Sequence, residues 1–246
     1  MKSSLNLPNA VFDRPNSLSA SRSNSPVHLA AEKQLPQEPL WIGRLKRDRA
    51  IAVVRADDTE LALTLAEIAL AAGMHHVEII STTPQFGAVI ARLRARYPEQ
   101  WVGAGTVVNI ETARAAIEAG AQFLFSPYRS AEVVELARAS HVPIVPGALT
   151  PQEIGSAWDA GAAAVKVFPI GCVGGADYLQ ALRAPLAGIP LIPTGGVTID
   201  NAGELLKTGA IAVGLATQLF PKDLVAREQW KAISDRICNF VDCLPT

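Results

Sequence analysis

Cysteine is scarce in this sequence, and the three that are present form no pattern typical of a site. Cys172, Cys238 and Cys243 are an odd number in 246 residues, and no two of them have the spacing of a metal-binding pair. This argues against a disulfide framework and favours a reducing compartment, so we expect a cytoplasmic protein. The histidines suggest no metal site either, because the adjacent His75 and His76 would point to opposite faces of a strand.

The sequence also lacks an excess of charge of one sign and a long apolar run. Its formal net charge is −1, so we expect neither nucleic acid nor an anionic membrane as a partner. No apolar run approaches the ~20 residues of a transmembrane helix. Hydrophobic residues make up 49% of the chain, which is enough for a large core.

The first 37 residues differ in character from the rest of the chain. They are rich in Ser, Asn, Pro and Arg, as in 19–26, and show no sustained period. This composition predicts disorder, and the absence of an apolar segment argues against a secretory signal. We therefore expect a disordered extension over residues 1–37 and one domain over residues 38–246, with a helix at each end.

From residue 38 onward, short apolar runs alternate with helical patterns. A helix is predicted over Leu40–Arg49, and eight strands follow. They are predicted near Ile51–Val54, His76–Ile80, Val102–Ala104, Gln122–Phe125, Pro143–Val145, Ala163–Val167, Pro190–Ile192 and Ala210–Val213. Strands that alternate with helices imply a parallel sheet, and eight is the number that closes a (β/α)8 TIM barrel. A doubly wound open sheet is disfavoured because no glycine-rich turn follows the first strand.

The intervening helices carry recognisable ends. Asn109 is a candidate N-cap, and Thr150-Pro151-Gln152-Glu153 has the pattern of a capping box with proline in the first turn. Four helices are predicted to end at a glycine that supplies the left-handed C-terminal residue. These glycines are Gly73, Gly120, Gly161 and Gly209.

Lys166 stands inside the apolar sixth strand. A buried lysine is costly unless it is neutral or paired, and lysines of this kind serve as Schiff-base nucleophiles. A lysine at a strand end can also extend its ammonium group into water. The segment alone leaves both interpretations open.

In barrels of this class the active site lies at the carboxyl ends of the strands. The polar residues at those positions are Arg55, Glu78, Thr106, Ser126, Thr150, Lys166, Thr194 and Thr217. Glu78 lies inside the second strand, so we expect a raised pKa or a cationic partner. A carboxylate beside a Schiff-base lysine can transfer protons. A buried Lys–Glu ion pair without chemistry is the alternative, and it is disfavoured because such pairs seldom stabilise.

Two glycine-containing loops resemble phosphate sites. Gly195-Gly196 follows the seventh predicted strand, and Gly214 to Thr217 follows the eighth, with a helix expected to begin after each. Loops at these positions are the recurring phosphate site of such barrels, because glycines expose N–H groups and helix N-termini favour anions. Two glycine turns that only close the barrel are the alternative.

At these residues the chain resembles the KDPG/KHG aldolase family, class I aldolases that cleave 2-keto-3-deoxy-6-phosphogluconate (KDPG) or 4-hydroxy-2-oxoglutarate (KHG). The resemblance covers residues 45 to 221. Its motifs are Gly103-Ala104-Gly105-Thr106-Val107, Phe125-Ser126-Pro127, Val145 to Glu153, Val165-Lys166-Val167-Phe168-Pro169 and Pro193-Thr194-Gly195-Gly196-Val197.

The resemblance implies a role for each matching residue. Lys166 would form the Schiff base and Glu78 would be the general acid/base. Thr106, Pro127 and Phe168 would lie against the pyruvyl part of the substrate. Thr194 would lie near the sugar hydroxyls and favour the gluconate epimer. Gly195, Gly196 and Thr217 would bind the phosphate.

Position 82 departs from the family pattern. The family has an arginine there that holds the substrate carboxylate, and this chain has Thr82. A charged bidentate contact would become a neutral one. Arg55 or Arg129 is the candidate replacement, and the Thr82 and Thr83 hydroxyl groups are candidates for a smaller part in binding the substrate. Tyr128 also replaces a usual glycine after Pro127.

The resemblance therefore implies a lyase of the Entner–Doudoroff pathway that cleaves KDPG to pyruvate and glyceraldehyde 3-phosphate. Its only partner would be the small-molecule substrate, apart from the other subunits of an implied homotrimer. No cofactor is expected, because a lysine imine is the electron sink. Two alternatives stay open. One is the same chemistry on another 2-keto acid, as in KHG cleavage or oxaloacetate decarboxylation. The other is a non-catalytic barrel that binds a phosphorylated metabolite.

Overall fold

The computed structural model describes residues 40–245. The extension predicted over residues 1–37 lies outside these residues, and the domain boundary stays a prediction. Within residues 40–245 no helix is both long and apolar enough to cross a membrane.

Short strands and longer helices alternate along the described residues. The helices are α1 (Leu40–Asp48), α2 (Thr59–Ala71), α3 (Phe86–Arg96), α4 (Ile110–Glu118), α5 (Ala131–Ala139), α6 (Pro151–Asp159), α7 (Ala176–Arg183), α8 (Ile199–Lys207), α9 (Lys222–Ala226) and α10 (Trp230–Asp242). The strands are β1 (Ala50–Val54), β2 (His76–Ile80), β3 (Trp101–Gly105), β4 (Leu124–Phe125), β5 (Ile144–Val145), β6 (Gly147–Ala148), β7 (Val165–Val167), β8 (Leu191–Pro193) and β9 (Val213–Leu215).

All of these strands pair in parallel, and they form two sheets. One sheet has the order β5-β4-β3-β2-β1-β9 and the other has the order β6-β7-β8. Only Pro146 separates β5 from β6 along the chain. On the other side, the Ile211 amide, just before β9, donates to the Leu191 carbonyl of β8 over 3.0 Å. The result is an α/β fold with a curled parallel sheet, as the alternating pattern predicted.

Helix α1 packs against the concave side of this sheet. Its Trp41 indole stacks on the Phe123 ring with 4.6 Å between centroids. The same buried cluster includes Ile51, Val145 and Ile192, which come from three different strands. The much larger apolar cluster lies between the strands and the helices that follow them. The curled sheet therefore encloses an inner core that α1 covers.

The helix ends follow the local sequence signals. The Asn109 side chain accepts a hydrogen bond from the Thr112 amide, and Thr150 and Glu153 form the reciprocal capping box. Each such cap satisfies amide groups that have no partner inside the helix. The four predicted C-terminal glycines all have positive φ, the conformation in which a side chain would be strained.

Two predictions about the strands and one about a helix need correction. The expected single ladder of eight strands is divided, because Pro146 has no N–H to donate and splits the fifth strand into β5 and β6. The last strand is β9 at residues 213–215, shifted from the predicted 210–213. Thr217 does not begin a helix, because it lies in a turn and α9 starts only at Lys222.

Candidate active site

The residues singled out from the sequence lie at or just beyond the carboxyl ends of the strands. Arg55 follows β1, Glu78 and Thr82 lie in and after β2, Thr106 follows β3, Pro127 follows β4, Lys166 and Phe168 lie in and after β7, Thr194, Gly195 and Gly196 follow β8, and Thr217 follows β9. In a parallel sheet these ends share one edge, so the fold gathers residues that are up to 162 positions apart in the chain.

Lys166 is the middle residue of β7, and its side chain is half-buried. Gly147 of β6 and Ile192 of β8 are its neighbours in the parallel ladder. Its Nζ lies 4.8 Å from the centroid of the Phe168 ring and 6.0 Å from that of Phe125. Two aromatic faces therefore flank the amine, and among residues 40–245 no carboxylate forms an ion pair with it.

Glu78 is the middle residue of β2 and is only 2% exposed. Burial raises the pKa of its carboxyl group, and the positive charges of Lys166 and Arg55 oppose that rise. The electrostatic effect of both cations on Glu78 indicates that the three groups share one region of the site. A carboxyl group whose pKa is raised by burial holds its proton more readily than an exposed one and can serve in proton transfer. This agrees with the expectation for a carboxylate inside an apolar strand.

Gly105 at the end of β3 is a residue that the sequence reasoning did not single out. The Glu78 side chain crosses directly over it, so a Cβ atom at this position would lie 2.7 Å from Glu78 Cγ and closer still to the carboxyl group. The available signal was the Gly103-Ala104-Gly105 segment, in which alternate residues of a strand both lack a side chain.

Arg55 and Thr82 are both exposed at the mouth of the site. Arg55 acts on Glu78 electrostatically. Thr82 presents a neutral side chain at the end of β2. The next residue, Thr83, is buried, and its Oγ1 has no hydrogen-bond partner among residues 40–245. The end of β2 therefore supplies no positive charge, and the nearby cation comes from the neighbouring strand β1.

The loop after β8 is held closely against the loop after β7. The Ile170 amide donates to the Thr194 carbonyl over 3.0 Å, and the Gly171 amide donates to the Gly195 carbonyl over 2.9 Å. Gly195 lies under the Phe168 ring, where a Cβ atom would be 2.7 Å from Cδ2. Thr194 is 6% exposed, and its Oγ1 has no partner within the described residues.

Thr106 occupies a left-handed backbone conformation with φ of 57°. The Ser81 hydroxyl donates to its carbonyl over 2.8 Å and so ties the end of β3 to the end of β2. A non-glycine residue in this region is uncommon and costs energy, and such residues cluster at functional sites.

Two depressions lie at this end of the molecule. The first, of ≈ 590 Å³, is lined by Pro127, Tyr128, Arg129, Gly147 and Phe168, the last of which also contacts Lys166 Nζ. The second, of ≈ 750 Å³, lies between the loops that follow β1 and β9. Its polar lining includes Arg55, Thr217 and Lys222. Lys222 was missed in the sequence, although it stands only five residues after Thr217.

The hydroxyl groups of two polar residues that the sequence placed at strand ends form hydrogen bonds with the protein backbone. The Ser126 hydroxyl donates to the Tyr128 carbonyl over 2.7 Å. Thr150 caps α6. Neither hydroxyl is thus directed to the site by these contacts. Among residues 40–245, no group of three or more His, Cys, Asp or Glu side chains has an arrangement that could hold a metal ion.

The chemical capacity of the site follows from this geometry. It combines one amine between aromatic rings, one buried carboxyl group near that amine, and backbone N–H groups in glycine turns. An amine of this kind can attack a ketone, and the carboxyl group can move the protons that the attack requires.

Three comparisons with known proteins agree on one family. A model of the KDPG and KHG aldolase family matches residues 42–236. A 2-dehydro-3-deoxy-phosphogluconate aldolase of Pseudomonas aeruginosa is 32% identical over 200 residues, which are 81% of this chain and 91% of that protein. KDPG aldolase from Legionella pneumophila, whose structure holds pyruvate as a covalent carbinolamine, superimposes with a TM-score of 0.75 at 27% identity, covering 81% of this chain and 97% of the other. A cube-shaped protein cage, designed by fusing symmetric oligomeric domains, matches with a TM-score of 0.71 at 30% identity, covering 79% of this chain and 71% of the other.

Proposed function

The chain belongs to the KDPG and KHG aldolase family, and from this membership we propose that it is a class I aldolase that cleaves KDPG to pyruvate and glyceraldehyde 3-phosphate. The observation that carries the proposal is the placement of Lys166 between two aromatic rings and within electrostatic reach of the buried carboxyl group of Glu78. The named relatives carry out this reaction, and the chain has both of the groups that it needs.

Lys166 is the nucleophile. Its unprotonated amine attacks the C2 ketone of KDPG and forms a carbinolamine. Loss of water then gives an iminium ion joined to Nζ. Phe168 and Phe125 shield this position from solvent and can stabilise the positive charge of the iminium ion through their ring faces.

Glu78 transfers the protons. It accepts the proton of the C4 hydroxyl group while the C3–C4 bond breaks, and the bonding electrons pass into the iminium ion to give an enamine. Glyceraldehyde 3-phosphate leaves as the aldehyde. Glu78 then returns the proton to C3, and hydrolysis of the new imine releases pyruvate and the free amine. The imine is the electron sink, so the reaction requires no metal or organic cofactor.

The remaining site residues bind the two ends of the substrate. Thr106, Pro127 and Phe168 contact the pyruvyl part, and Thr194 contacts the sugar hydroxyl groups through its unpaired Oγ1. Arg55 takes over the carboxylate contact that Thr82 cannot make, supported by its influence on Glu78. Gly195, Gly196 and Thr217 bind the phosphate through N–H and hydroxyl donors.

The closed barrel and the homotrimer belong to the same proposal. Closure of the two sheets into one (β/α)8 barrel is supported by the hydrogen bond from Ile211 to Leu191 and by the inner core that α1 covers. A homotrimer is supported by the likeness to a chain of the protein cage designed by fusing symmetric oligomeric domains and by the exposed Tyr128 ring. A cytoplasmic location is supported by three cysteines that are all unpaired.

Borohydride trapping tests this function. Incubation with pyruvate and borohydride is expected to convert the imine into a stable secondary amine, which mass spectrometry locates in the peptide that contains Lys166. Lys166→Met should abolish the adduct, whereas Lys207→Met, at the exposed end of α8, should retain it. An unmodified wild-type chain would refute the Schiff-base mechanism. Comparing rates on KDPG and KHG then measures the preference for the phosphorylated substrate.

A further inference from the structure

Gly105 lies beneath the carboxyl group of Glu78. In the ladder between β2 and β3, Glu78 pairs with Gly103 and Ile80 pairs with Gly105. Side chains alternate along a strand, so positions 103 and 105 face the same side of the sheet as Glu78. The Glu78 side chain runs diagonally from its own ladder position towards the end of β3, across the surface that Gly105 leaves open.

The missing side chain, rather than the backbone, is what this position requires. Gly105 is not among the glycines with positive φ, so alanine could adopt its backbone conformation without strain. Its Cβ atom, however, would lie 2.7 Å from Glu78 Cγ and closer to the carboxyl carbon and Oε1. Two carbon atoms that are not bonded pack at about 3.5–4.0 Å, so one of the two groups would have to move.

The carboxyl group is the part that would move. Strand β3 is an inner strand, paired with β2 on one side and β4 on the other. The Gly105 carbonyl also accepts a hydrogen bond from the Ser81 amide over 2.8 Å. The nearest atoms of Glu78 belong to the far end of a flexible side chain, which can rotate at lower cost. A methyl group at position 105 would therefore shift the carboxyl group and leave the sheet in place.

We propose that Gly105 is a positioning residue for the aldol cleavage, because its lack of a side chain lets the Glu78 carboxyl group lie where it exchanges protons with the substrate on Lys166. The inference rests on the proposed function. It predicts that the identity of residue 105 acts on catalysis through Glu78, without contact between residue 105 and the substrate.

Kinetics on KDPG test the proposal. A misplacement of about 1 Å can cost about 100-fold in rate, so Gly105→Ala should lower kcat by roughly that factor with little change in KM. Gly203→Ala in α8, where a Cβ atom would meet nothing within 4 Å, is the matched control and should leave kcat unchanged.

A double-mutant cycle separates positioning from a general structural effect. In the Glu78→Ala background, in which the carboxyl group is absent, Gly105→Ala should cause no further loss of kcat. Wild-type kcat in G105A, or an equal loss of kcat from Gly105→Ala in the Glu78→Ala background, would overturn the inference. If the wild-type enzyme does not cleave KDPG, or Glu78→Gln remains fully active, the proposed function fails instead.

A stability measurement covers the case in which G105A does not fold. With Glu78→Ala as background, the three atoms that would lie nearest to the added methyl group are absent. G105A/E78A should then be about as stable as E78A alone. An equal loss of stability in both backgrounds would show that the methyl group clashes with something other than Glu78, and would overturn the inference.

Discussion

Asp48→Asn tests the hydrogen bonds that join α1 to strand β2. Asp48 Oδ2 lies 2.9 Å from His76 Nε2, and the Trp41 indole N–H donates to His76 Nδ1 over 3.1 Å. The indole nitrogen is only a donor, so Nδ1 must carry a lone pair and the proton must be on Nε2. His76 therefore donates to a carboxylate while it accepts from an indole, and this chain of hydrogen bonds joins α1 to β2.

The size of the expected loss of stability follows from the pKa of Asp48. Burial alone would raise this pKa, but the hydrogen bonds from His76 and Arg47 outweigh burial. The pKa of Asp48 is therefore about 2, compared with an ordinary value of 3.8. At about 1.4 kcal/mol for each tenfold change in the protonation equilibrium, the difference corresponds to roughly 2 kcal/mol of stability. A hydrogen bond to a charged group contributes about 1.5–3 kcal/mol, which agrees. Asp48→Asn should therefore lower the free energy of unfolding by about 2 kcal/mol at pH 7.

The sign of the pH dependence is determined by the two protonation equilibria. The carboxylate of Asp48 stabilises the fold fully above pH 3.8, and its contribution is lost as the pH falls towards about 2. Burial lowers the pKa of His76, so this imidazole is neutral in the fold, and its contribution to stability is lost as the pH falls below 6.5.

Urea unfolding between pH 2 and pH 7 measures both effects. The difference in the free energy of unfolding between the wild-type chain and Asp48→Asn should be largest at neutral pH and should become smaller below pH 3.8. Asp235→Asn is the matched control, because Asp235 pairs with the exposed Lys231 and exposed ion pairs contribute little. A difference that stays constant across this pH range, or an equal effect in the control, would refute the reasoning.

Three further predictions concern the site. Glu78→Gln should lower kcat by about 10²–10⁴-fold and raise the free energy of unfolding at pH 7, because burial disfavours the charged carboxylate; loss of both activity and stability would contradict this. Arg55→Ala should raise the KM for KDPG about tenfold, since a charged hydrogen bond contributes about 1.5–3 kcal/mol. Thr82→Arg in the Arg55→Ala background should restore the KM. An unchanged KM in Arg55→Ala would show that Arg55 does not bind the substrate carboxylate. Thr194→Val removes a buried hydroxyl group that has no hydrogen-bond partner in the described part of the chain. It should therefore raise thermal stability and weaken the preference for KDPG over its galactonate epimer, which kcat/KM for both epimers measures.

Local signals made much of the fold predictable. All eight predicted strands have a counterpart, because short apolar runs between capped helices leave few alternatives. The Asn109 cap and the Thr150 capping box depend on residues within three positions of each other, and both are present. The boundaries of the last strand were wrong because Ala210 to Ala212 are as apolar as a strand but precede the ladder that starts at Val213.

The contacts that depend on distant parts of the chain were not predictable. His76 was interpreted only by the absence of ligand spacing, and its partners Trp41 and Asp48 are 35 and 28 residues away. The alternation of Gly103 and Gly105 marked an open surface on β3, but that Glu78 covers it depends on the register of β2 against β3. The sequence placed Lys166 and Glu78 at strand ends, but the aromatic rings around Lys166 Nζ became visible only in three dimensions.

The two proposed reacting groups come from different sheets, and this separates what stabilises the fold from what supports the proposed catalysis. Glu78 lies in the six-stranded sheet and Lys166 in the three-stranded one, so the site forms only where the curled sheets face each other. The contacts of Trp41 and Asp48 with His76 join α1 to the amino end of β2, and the proposed site lies at the carboxyl ends of the strands. Asp48→Asn should therefore lower stability with little change in kcat below the melting temperature. Gly105→Ala should lower kcat with a smaller loss of stability. If Asp48→Asn and Gly105→Ala changed stability and kcat to the same extents, the separation between stabilising and catalytic contacts would be contradicted.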